Sequence, residues 1–110
     1  MNDNPMPNDV YRYMLRFRPQ GMEPHDLHHA IFDKGIVSGM PLEVRRMIHS
    51  PMNLLWIPKR VHASHLNIPS RAVAYKALCI RFGETAMDSY VSEMLSKFKN
   101  APFTLESLKG

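Results

Sequence analysis

The chain has 110 residues, 45% of them hydrophobic and 22% charged, enough for one modest domain with its own core. Fourteen basic against ten acidic side chains leave a formal charge of +4, which is compatible with a nucleic-acid partner without requiring one. The single cysteine excludes a disulfide framework and a cysteine-based zinc knuckle; no apolar run approaches the ~20 residues of a membrane span, and no signal-peptide pattern is present, so the expectation is a cytoplasmic, non-membrane protein.

Residues 1–24 read as a leader, MNDNPMPND, followed by an aromatic and basic segment. Val10 to Pro19, VYRYMLRFRP, alternates in part and suits an edge strand or a short helix; Arg12, Arg16 and Arg18 either touch phosphates or form a solvated face. Leu27 to Phe32 is expected as a strand carrying two adjacent histidines. Asp33 to Gly35 is a turn signal, after which IVSGM, Ile36 to Met40, is expected to return as a second short strand. PLEVRRMIHS reads as a short helix with Pro41 in its first turn and Leu42, Val44, Met47 and Ile48 as its apolar contacts. Asn53 to Ile57, NLLWI, is a compact strand, and Pro58 opens a helix through KRVHASHL that Pro69 stops.

Ser70 is placed to cap the helix RAVAYKALCIRF, which Gly83 ends and in which Cys79 reads as a core position. ETAMDSYVSEMLSKFKN then sets Met87, Tyr90, Val91, Met94, Leu95 and Phe98 at helical spacing. Such a stripe faces either the chain's own core or a partner helix, so a homodimer through the C-terminal helices is one expectation. The tail adds one further turn. The whole reads as an α+β domain, helix-rich toward its C-terminus.

Of six histidines, four fall in two tight pairs: His28 with His29, and His62 with His65. Neighbours on a strand point to opposite faces, so the first pair cannot share one job. Residues three apart on a helix share a face, so the second pair can converge on one point. One strand histidine facing two helix histidines would make a three-nitrogen metal site with an open position, as a catalytic metal needs. The other strand histidine is then free to act as a base near neutral pH.

The sequence here resembles the HNH, or ββα-metal, endonuclease family. The matching features are DLHH at Asp26 to His29, NLLW opening at Asn53, and His62 nine positions beyond that asparagine. The acidic-x-HH form and the helical histidines are similar to colicin-type DNases, and NLxW to phage-borne HNH endonucleases. The resemblance covers residues 25 to 66 and implies a small ββα-metal core over 25–68, with PLEVRRMIHS as an inserted helix and an additional C-terminal helical extension over 69–110, packed as one domain.

By position, the resemblance makes His28, His62 and His65 metal ligands and His29 the general base that activates water. Asn53 would orient His29 through hydrogen bonds that tie the loop to the strand, and Asp26 would steady the histidines. His25 and His49 have no place in the motif. The implied reaction is hydrolysis of phosphodiester bonds in double-stranded DNA with one divalent ion: zinc, magnesium, manganese or nickel. Lys59, Arg60 and Arg71 are candidate contacts to the DNA backbone. Two other readings compete. One is a catalytically silent HNH-fold module that binds nucleic acid or a protein. The other is an unrelated helical domain with a helix-turn-helix over residues 70 to 99.

Overall fold

A computed structural model describes residues 25–64 and 68–110. The expectations for the leader, for Val10 to Pro19 with Arg12, Arg16 and Arg18, and for His65 lie outside those residues. Strand β1 (His25–His29) is followed by a long excursion that holds helix α1 (Leu42–Met47) and a single 3-10 turn (Pro51–Asn53). Strand β2 (Leu54–Pro58) then leads directly into α2 (Lys59–Ser64), and α3 (Arg71–Phe82), α4 (Glu84–Ser96) and α5 (Leu105–Lys109) complete the chain. The fold class is α+β, as expected. None of the described helices is long and apolar enough to cross a membrane.

The two strands pair antiparallel, with His28 opposite Leu55 and His29 opposite Leu54. The ladder is prolonged past β1 by a bond from the Ala30 N–H to the Asn53 carbonyl, 2.8 Å. Leu27, Leu54 and Ile57 are buried in the sheet, and the chain beyond β1 plunges inward at Ala30, Ile31 and Phe32. Phe32 is fully buried, with the Tyr90 ring edge-on at 5.9 Å and Phe103 at 5.4 Å. One core joins this segment to Val37, Val44 and Ile48 of the excursion and to Ala74, Leu78, Met87, Val91, Met94 and Leu108 of the C-terminal helices.

Two strand expectations are corrected. Ile36 to Met40 is a succession of turns: the Ile36 N–H donates to Asp33 Oδ1 (2.9 Å), and Ser38 and Met40 N–H groups donate to the Gly35 and Val37 carbonyls. Gly39, at φ 82°, takes a left-handed conformation that a strand does not use. The first strand also ends earlier than expected, at His29, because Ala30 to Phe32 give their backbone groups to Asn53 instead of to a neighbouring strand. Pro58 closes β2 rather than opening the helix, and Leu42 is 51% exposed, so α1 anchors through Val44 and Ile48 without it.

The C-terminal helices follow the sequence closely. Ser70 Oγ accepts from the Val73 N–H at 3.2 Å, and Gly83, at φ 91°, is the one residue between α3 and α4. On α4, Met87, Tyr90, Val91 and Met94 are buried against the chain's own core, with Leu95 and Phe98 packed beside them. A dimer through these helices would therefore have to use other residues. Cys79 is half-buried at the core margin.

Asn53 is the only buried polar residue among those described, and its side chain is fully bonded. Oδ1 accepts from the Ile31 and Phe32 N–H groups (2.9 and 2.8 Å), and Nδ2 donates to the Phe32 and Ile48 carbonyls (both 2.8 Å). A hydrophobic replacement leaves four buried backbone groups without partners, each costing about 1–3 kcal/mol. Asn53→Ala should therefore lower the free energy of urea unfolding by about 3 kcal/mol or more; a loss under about 1 kcal/mol would show that these bonds are dispensable.

Candidate functional site

The period-two alternation of β1 sends Asp26 and His28 to one face and Leu27 and His29 to the other. Each histidine meets a different partner. On the first face, α2 returns over the strand because Pro58 gives way at once to Lys59, and this brings His62 against both Asp26 and His28. His62 Nδ1 lies 3.0 Å from Asp26 Oδ2, and the His28 and His62 rings stand edge-to-face with centroids 5.5 Å apart. A carboxylate oxygen only accepts, so the hydrogen of this contact is on His62 Nδ1, and in the neutral ring that leaves the lone pair on Nε2. A carboxylate behind the far nitrogen is how metal-bound histidines are commonly oriented.

On the second face, His29 Nε2 is 3.1 Å from Nδ1 of His49, with centroids 5.0 Å apart. His49 follows α1, in the turn whose Ile48 carbonyl is bonded by Asn53. Asn53 does not touch His29. Its bonds go to the next three residues, Ala30, Ile31 and Phe32, and to Ile48, so it fixes both ends of the His29–His49 contact from behind.

His28, His29, His49 and His62 open onto one cleft of about 500 Å³, lined also by Leu27, Asp33 and Lys34. His29 is pushed down from 6.5 to about 4, first by burial, then by His49, Lys34 and His28, against the pull of Asp33. Burial, followed by the charge of His62, also lowers His28, and burial followed by Lys34 lowers His49. These three rings are therefore neutral near pH 7, and a neutral ring is the form that can bind a metal or take a proton.

No family model, no curated protein and no solved structure matches the chain. The site therefore has to be judged on its own residues. Of the expected ligands, His28 and His62 are brought together, while His65 falls outside the described residues. Among the described residues no group of three or more His, Cys, Asp or Glu side chains is placed to hold a metal ion.

Lys59 and Arg60 are exposed in the first turn of α2, the helix whose His62 lines the cleft. Arg71 has a different occupation: its Nε donates to the Ile31 carbonyl (2.9 Å), its Nη2 to Asp33 Oδ2 (3.3 Å), and its guanidinium lies 5.1 Å from the Phe103 ring centroid. It straps the segment after β1 to α3. His49 and Lys34 are the site residues that motif spacing did not find. The available signal was indirect: His49 sits four residues before Asn53, in a turn that any loop-anchoring asparagine would hold near the strand.

Two outcomes follow. In metal-free protein kept in chelator, the unfolded chain takes up protons on His28, His29 and His49 near pH 6.5, whereas folded His29 does so only near 4. The unfolded state binds more protons across that window, so stability falls as the pH drops from about 6.5 towards about 4. The urea midpoint should be lower at about pH 5 than at about pH 7, and equal midpoints would mean these rings are not held neutral by burial. Separately, Arg71→Ala should cost about 1 kcal/mol of stability through the lost bond to the Ile31 carbonyl. A variant as stable as the wild type would release Arg71 for a role outside the fold.

Proposed function

We propose that the cleft is the active site of a metal-dependent endonuclease of the HNH type, hydrolysing phosphodiester bonds in DNA. The observation that carries the reading is the division of the adjacent histidines: His28 faces the Asp26-oriented His62, and His29 faces His49 across the strand. On this reading one face serves a cation and the other a proton.

His28 and His62 supply nitrogen ligands suited to a first-row divalent metal, and His65 is proposed as the third. When bound, such an ion neutralises charge gathering on the phosphate and stabilises the leaving 3′ oxygen. His29 takes the proton of the attacking water. In the tautomer in which its Nε2 donates to His49 Nδ1, the lone pair on Nδ1 is the basic atom. The depressed proton affinity of His29 keeps it unprotonated, and the negative charge of a bound phosphate would raise that affinity during the reaction. Asn53 acts behind the ring by fixing Ala30 to Phe32, and Lys59 and Arg60 contact the DNA backbone.

A second reading, an HNH-fold module that binds nucleic acid without cutting it, is favoured by one observation, the lack of a three-residue metal group among the described residues. The helix-turn-helix reading is disfavoured. Such a motif uses a turn of about three or four residues, whereas α3 and α4 are joined by Gly83 alone, and the apolar face of α4 is buried.

Supercoiled plasmid incubated with the protein separates the two. The nuclease should nick or linearise it only with a divalent metal, and His29→Ala should slow cleavage by about 100-fold or more. The His28→Ala, His62→Ala double variant should lose metal affinity in calorimetry. Full cleavage by His29→Ala would remove the base assignment. Retained DNA binding with no cutting under any metal would leave the silent module.

A further inference from the structure

A second hollow adjoins the histidine cleft. It has a volume of about 340 Å³ and shares Lys34 and His49 with the cleft as common walls. Its other charged wall is Arg45, and among the described residues no carboxylate lines it. Arg45 is exposed, and its Nε donates to the Met40 carbonyl at 3.0 Å, a bond that occupies one of the three guanidinium nitrogens. Lys34 is exposed at the start of the turn that forms the opposite wall. Its charge already reaches into the cleft, where it lowers the proton affinity of His29 and His49.

The turn itself keeps the hollow open. Around the ideal Cβ position of Gly39 there is nothing within 4 Å. The nearest acid along the chain, Asp33, is paired with Arg71 at 3.3 Å, which moderates the negative charge it can present to Lys34. The result is a two-cation hollow beside the histidine cleft on the α1 side, whereas α2, with Lys59 and Arg60, packs on β1 and β2.

We propose that Lys34 and Arg45 form a phosphate subsite that holds the nucleic-acid strand beside the cleft, one phosphate or more away from the bond that is cut. The inference rests on the endonuclease reading for its substrate but not for its electrostatics. A strand gripped by Lys34 and Arg45 on one flank and by Lys59 and Arg60 on the other would lie across His29 rather than end at it. Such contacts fix the register of the backbone and carry no base preference.

The test is fluorescence anisotropy with a short fluorescein-labelled DNA duplex, at several salt concentrations and without metal, beside plasmid cleavage with metal. The Lys34→Ala, Arg45→Ala double variant should bind about tenfold more weakly at low salt, and the log–log salt slope should fall by about two. The Lys34→Arg, Arg45→Lys pair should restore most of both. If the double alanine variant loses its fold, Lys34→Gln at its exposed turn position decides on the same readouts, with a slope change of about one. Unchanged affinity and slope overturn the subsite even if the wild type cuts plasmid. A weakened variant beside a wild type that binds but cuts nothing keeps the subsite and overturns the nuclease. A wild type that does not bind the duplex overturns both.

Discussion

The side chain of Asn53 is the constraint on which the rest of the structure depends. The excursion between the two strands carries only one short helix, and it must close on itself while burying Ile31, Phe32, Val37, Val44 and Ile48. Buried backbone groups need partners, and here no third strand among the described residues supplies them. An amide offers two donors and an acceptor with two lone pairs, and Asn53 uses all four on Ile31, Phe32 and Ile48. A carboxylate would set oxygen against oxygen at the Phe32 and Ile48 carbonyls, and an aliphatic side chain would satisfy nothing. The requirement is for an amide of that length at that point.

This closure turns a fold constraint into site geometry. By holding the residues just beyond His29 and the residue just before His49, one side chain sets the distance between two rings that are twenty positions apart. The other half of the site is local. Helix α2 follows β2 without a loop, so His62 returns to β1 over Asp26 and His28. One pair is therefore backed by the core, while the other depends on a six-residue helix with no buried residue.

The same division explains what could be read from the chain in advance. The capping serine at position 70, the glycine between α3 and α4 and the stripe from Met87 to Phe98 are local signals, and they were legible. The opposite facing of His28 and His29 follows from strand geometry alone. The Ile36 to Met40 segment misled because apolar residues between turn signals look alike in a strand and in a chain of tight turns; the difference lies in whether a neighbour is there to pair with. His49 was missed for a related reason: its partner is distant in sequence and carries no periodic signature. The sequence shows the charge of Arg71, whereas its place is decided by a carbonyl 40 residues before it, at Ile31, and by the ring of Phe103 far behind it in the chain.

Arg71 adds a polar tie between two halves that already share one core. It belongs to α3, which gives no residue to the cleft, yet it grips the Ile31 carbonyl two residues beyond His29 and the carboxylate of Asp33 on the cleft wall. Opening of that segment has to break bonds anchored in the C-terminal core. Anything that binds in the cleft and holds it closed is thus linked to the local unfolding equilibrium of α3. Occupancy of the site would be written in the hydrogen-exchange rates of a helix that never touches the occupant.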